Sequence, residues 1–121
     1  MTEVVDVLVI DDAVDVAEST ADVLRSAGLS VATASNVPEA RAIVAERHVR
    51  AVIVDHSTGE WAGSAPEPLP DTAPPVIVVS GMGRDNIEEL EARHGDCLFA
   101  CLAKPVSPGT LIEVVRAALG P

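Results

Sequence analysis

Five short runs of apolar, mostly β-branched residues recur along the chain: Val4 to Ile10, Val31 to Ala34, Ala51 to Val54, Pro75 to Val79 and Cys97 to Leu102. Each is nearly continuous rather than alternating. A strand of that kind is covered on both faces, as in a parallel sheet between two layers of helices. Helical patterns fill the intervals. Ala17, Thr20, Ala21, Val23, Leu24 and Ala27 make one apolar face that Gly28 closes. Asn36 with Glu39 three residues later opens a second helix, and Asp85 with Glu88 repeats the device ahead of Ile87 and Leu90. The last helix has Ser107 as its cap, Pro108 in its first turn, Leu111, Val114, Val115, Ala118 and Leu119 on one face, and Gly120 at its end.

Strand and helix thus alternate throughout, which predicts a doubly wound α/β fold with a parallel sheet and right-handed crossovers. One interval breaks the rhythm. Residues 56–75, HSTGEWAGSAPEPLPDTAPP, hold five of the nine prolines. A proline inside a helix costs about 3 kcal/mol, so the third helix is expected to be short or degenerate, within about residues 59–65.

A length of 121 residues suits a single domain spanning 1–121. With 48% hydrophobic residues but one Phe, one Trp and no Tyr, its core must be aliphatic. The net charge of −11 disfavours direct binding to nucleic acid or to an anionic membrane surface. Cys97 and Cys101 alone supply neither a disulfide framework nor a four-ligand zinc site. No signal region and no apolar run of about 18 residues is present. A soluble, cytoplasmic domain is expected.

Ligands of open α/β sheets bind at the carboxyl ends of the strands. Those ends carry Asp11-Asp12, Asp55, Ser80 and Lys104-Pro105. Taken singly, each has an ordinary explanation: Asp11 or Asp12 as a cap of the next helix, Ser80 as a turn residue, Lys104 as a solvated cation. Together they make one chemistry. Clustered carboxylates bind a hard cation such as Mg²⁺, which keeps open positions for a phosphoryl group. An ammonium and a hydroxyl offset the charge of that group, and Asp55 becomes a nucleophile that forms an acyl phosphate.

The ordered set Val9-Ile10-Asp11-Asp12, Val54-Asp55, Val78-Val79-Ser80-Gly81 and Ala103-Lys104-Pro105 resembles bacterial response-regulator receiver domains over essentially the whole chain. The resemblance implies a flavodoxin-like sheet of five parallel strands in the order 2-1-3-4-5, and a signalling module of a two-component phosphorelay rather than an enzyme. It implies phosphoryl transfer from a histidine kinase or phosphotransfer protein onto Asp55. Asp12 would ligate Mg²⁺ directly and Asp11 through water, with Asp55 and the backbone carbonyl of Ser57 completing the protein ligands. Ser80 would be the switch hydroxyl and Lys104 the cation that pairs with the phosphate. The Ser-Gly and Lys-Pro context also resembles receivers of hybrid histidine kinases.

The chain departs from the family pattern at two places. His56-Ser57-Thr58-Gly59-Glu60-Trp61 stands where a Met-Pro turn and a glycine usually follow the acceptor, and Cys101 stands where an aromatic usually moves with the hydroxyl. The alternative reading is therefore a pseudo-receiver that docks or dimerises without phosphorylation. A haloacid dehalogenase-type phosphatase needs a second aspartate two residues after its nucleophile. Ser57 occupies that position.

Overall fold

The computed structural model describes residues 3–55, 75–80, 100–103 and 106–120. Seven strands and three helices are placed among them: β1 (Val4–Val5), β2 (Val7–Ile10), α1 (Val14–Ser26), β3 (Val31–Ala34), α2 (Val37–Glu46), β4 (His48–Val49), β5 (Val52–Asp55), β6 (Val76–Ser80), β7 (Ala100–Ala103) and α3 (Pro108–Leu119). The helices expected within residues 59–65 and after Asp85 lie outside the described residues.

The main sheet has five strands in the order β3-β2-β5-β6-β7, and every pairing in it is parallel. Counting its strands along the chain, that order is 2-1-3-4-5. The first apolar run is divided: Asp6 interrupts it, so Val4–Val5 peels away and pairs with His48–Val49 in a separate two-stranded parallel ribbon. The strand carrying Asp55 begins at Val52 rather than Ala51 and includes the aspartate as its last residue. The described edge strand is Ala100–Ala103, and residues 97–99 of the expected run lie outside the described residues.

Side-chain alternation along each strand divides the core in two. Leu8, Ile10, Val52, Val54, Val76 and Val78 face α2, where Ala40 is buried and Ile43 and Val44 pack beside it. Val7, Val9, Ile53, Ile77 and Val79 face the other way, onto Ala17 and Leu24 of α1 and Leu111 and Val115 of α3. Leu24 is fully buried, and truncating such a side chain to alanine costs about 2–5 kcal/mol.

Local signals position the helices. Asn36 accepts a hydrogen bond from the Glu39 amide at 2.8 Å, as the capping box predicts. The Glu39 carboxylate reaches one residue further back than that pattern, accepting from the Ser35 hydroxyl at 3.0 Å. Ser107 Oγ accepts from the Thr110 amide at 3.2 Å, and α3 ends at Gly120, whose φ of +83° is a conformation that favours glycine.

Candidate functional site

Two carboxylates end adjacent central strands. Ile10 of β2 pairs with Val54 of β5, so Asp11 and Asp55 each lie one residue past the same rung. Parallel neighbours are about 4.8 Å apart. Asp11 stays in register, donating its amide to the Ala34 carbonyl at 3.0 Å. By alternation both side chains join the row of Val9 and Ile53, on the face that α1 and α3 cover. Both are buried, at 6% and 8% exposure. Like charges this close repel and call for a cation or other compensating charge.

Neither aspartate caps α1. The N-cap is Ala13, which has no side chain able to serve. Asp11 Oδ1 instead accepts a hydrogen bond from the Ala13 amide at 2.9 Å, a turn closed just before the helix starts. That bond fixes the direction of the Asp11 carboxylate. Asp12 is exposed beside it.

An apolar cleft of about 550 Å³ opens between α1 and α3 over this edge. Val9 and Val79 form its floor, Val16, Thr20 and Leu111 its walls, and Asp11 and Asp55 belong to its lining. Charges set in apolar surroundings interact more strongly than in water. Thr20 belongs to the α1 face read from the sequence, and Val16, one turn before it, extends the flank of that face although it is not counted there.

Ser80 ends β6, and its backbone pairs with Ala103 of β7, the residue before Lys104. Asp55 pairs in turn with Val79. The backbone thus brings Asp11, Asp12, Asp55 and Ser80 to one edge. Ser57, Lys104, His56 and Trp61 lie outside the described residues. Among the described residues no three His, Cys, Asp or Glu side chains group as a metal site. What they do offer is hard oxygen, two buried carboxylates and one exposed, which fits Mg²⁺ and not a soft ion.

The family model of the response regulator receiver domain matches residues 7–116. The chain belongs to this family. Solved receivers share its fold. A response regulator receiver protein from Burkholderia phymatum is 25% identical with a TM-score of 0.79, over 98% of this chain and 96% of that one. A response regulator from Thermotoga maritima is 22% identical with a TM-score of 0.77, over the full length of both. A signal receiver domain from Bermanella marisrubri is 19% identical with a TM-score of 0.79, over 99% and 100%. No curated protein sequence matches. The family is one of two-component signalling. No described helix of this receiver is long and apolar enough to cross a membrane.

Proposed function

We propose that this receiver is the phosphoacceptor of a cytoplasmic two-component phosphorelay, taking a phosphoryl group from a phosphohistidine of a histidine kinase or phosphotransfer protein onto Asp55. The observation that carries the reading is the pair Asp11 and Asp55, buried on one face at the carboxyl ends of adjacent strands. A carboxylate oxygen of Asp55 attacks phosphorus, the P–N bond to the donor imidazole breaks, and the imidazole nitrogen takes the electron pair and a proton. An aspartyl phosphate results.

Asp12 directly, Asp11 through water, Asp55 and the Ser57 carbonyl would hold Mg²⁺. The ion supplies positive charge against the phosphoryl oxygens. Asp11 is suited to an outer position because its bond to the Ala13 amide already commits one oxygen. Ser80 and Lys104 take the switch hydroxyl and phosphate-pairing roles on the pattern of the chain. Val14 and Val16, exposed in the first turn of α1, give an incoming donor protein apolar contact next to Asp12.

Incubation with Mg²⁺ and acetyl phosphate, with a cognate kinase as the second donor, is expected to add one phosphate to the wild type and none to Asp55→Asn by intact-mass measurement. An unmodified wild type with both donors overturns the reading. The departures at His56-Ser57-Thr58-Gly59 and Cys101 favour a second one, the docking or dimerisation module that works without phosphate. That module binds its partner equally well as Asp55→Ala and without Mg²⁺.

A further inference from the structure

The edge of the sheet opposite the carboxylates carries polar chemistry that phosphoacceptance does not use. Asp6, at the break between β1 and β2, accepts from the Ser30 amide at 3.0 Å with Oδ2 and from Arg50 Nη1 at 3.1 Å with Oδ1. Its own amide donates to Ser30 Oγ at 2.9 Å. The other arm of Arg50, Nη2, donates to the carbonyl of Leu119 at 3.2 Å, in the last turn of α3. Arg116, from that same last turn, reaches the other way and donates to the carbonyl of Ala27, the C-cap of α1, at 3.2 Å.

Helix carboxyl ends leave carbonyls without partners inside the helix and carry partial negative charge. Here both α1 and α3 receive a guanidinium from another element at that end. We propose that Asp6, Arg50 and Arg116 form a clasp that pins the carboxyl end of α3 to the amino edge of the sheet and to α1. The helix is held by buried Leu111 and Val115 through its first two turns. Its last turn, where Ala118 and Leu119 are only partly buried, depends on the clasp. Asp6 orients Arg50, and Arg50 holds the helix. Because the arginines are largely exposed, as in the 41% of the Arg50 side chain, their work is local order rather than global stability.

Amide hydrogen exchange on the full chain tests this. Arg50→Ala is expected to speed exchange at residues 117–120 by about tenfold, with amides of β2 and β5 and the first turns of α3 at wild-type rates. Arg116→Ala should do the same at those positions. Arg50→Lys keeps the charge but has no second arm to span from Asp6 to Leu119, so it should loosen the same four residues. Wild-type exchange at 117–120 in Arg50→Ala overturns the clasp, as does uniform acceleration of every amide, which marks an ordinary stabilising pair. Should Arg50→Ala not fold, Arg50→Lys gives the same reading. No phosphate enters the measurement, so its failure and that of the phosphoacceptor reading are separate results.

Discussion

Asp6 and Asp55 are aspartates at opposite ends of one sheet, and their surroundings differ in kind. At the amino edge Asp6 meets the Ser30 amide and hydroxyl and the Arg50 guanidinium. The hydrogen bond from the Ser30 amide, helped by Arg50 and opposed by partial burial, holds its carboxyl below the usual value. At the carboxyl edge Asp55 lies one strand away from another buried aspartate, on the same face, beside an apolar cleft. The first arrangement stabilises a charge with local partners. The second gathers two buried carboxylates on one face at the ends of adjacent strands, the hard-oxygen setting that suits a divalent cation. A single sheet thus separates the chemistry of staying folded from the chemistry of reacting.

The sharpest way to break that comparison is Asp55→Asn. Phosphate incorporation should fall from one per chain to none, while the urea midpoint stays level or rises, because one of two neighbouring buried charges is gone. A clear loss of stability would mean that Asp55 is held by partners as favourable as those of Asp6. Next in size is the response to Mg²⁺. At about a hundredfold excess over its Kd, a ligand that binds only the folded state adds about 2.7 kcal/mol of stability. Wild type and Arg50→Ala should both show an upward shift in Tm with Mg²⁺ that a chelator reverses, and Asp12→Asn should show little. An equal shift in Asp12→Asn would move the cation away from this edge.

The sequence exposed the reacting edge more fully than the holding one. Asp11, Asp12 and Asp55 were legible because each ends a continuous apolar run, where a carboxylate stands out, and because parallel strands must bring such ends together. Asp11 was also open to a reading as a helix cap. The structure distinguishes a turn closed by the Ala13 amide from a cap, because α1 begins at Val14, two residues later than a cap at Asp11 would place it. The helix ends at Asn36 and Ser107 were readable for a related reason: capping acts within four residues and leaves a local signature. Asp6 and Arg50 are 44 residues apart. Nothing local predicts their meeting, and Val4 to Ile10 reads as one strand although Asp6 divides it. The cleft is legible least of all, since its volume depends on how α1 and α3 settle on the sheet.

Asp6→Asn sharpens the comparison from the other side. The substitution removes one partially exposed charged pair and is expected to cost about 1 kcal/mol at pH 7, with phosphorylation by acetyl phosphate unchanged. The sign of its pH dependence follows from the lowered pKa. A carboxyl whose folded value lies below its unfolded value of about 3.9 adds stability above that pH and loses it as pH falls through the folded value. The wild type should therefore lose this increment on acidification below about pH 4, and the difference between wild type and Asp6→Asn should close over that range. Urea titrations of the two proteins from pH 7 to pH 3 measure it.

Arg47 gives the smallest effect and asks whether the amino edge works through charge or through geometry. Both Arg47 and Arg50 lie near the β4 ribbon and pair with a carboxylate, but Arg47 meets Glu3 at 3.5 Å with side chains 39% and 68% exposed, whereas Arg50 meets Asp6 at 3.1 Å with 41% and 20%. Exposed pairs without a hydrogen-bonded frame contribute little and are screened by salt. Arg47→Ala should change stability by less than about 0.5 kcal/mol, and that change should vanish in 1 M salt. Arg50→Ala should keep its local effect on the last turn of α3 in the same salt, because its bond to the Leu119 carbonyl is directional and not only electrostatic. If salt erased both effects alike, the amino edge would be a field of charge with no particular architecture, and the contrast with the carboxyl edge would reduce to one of sign.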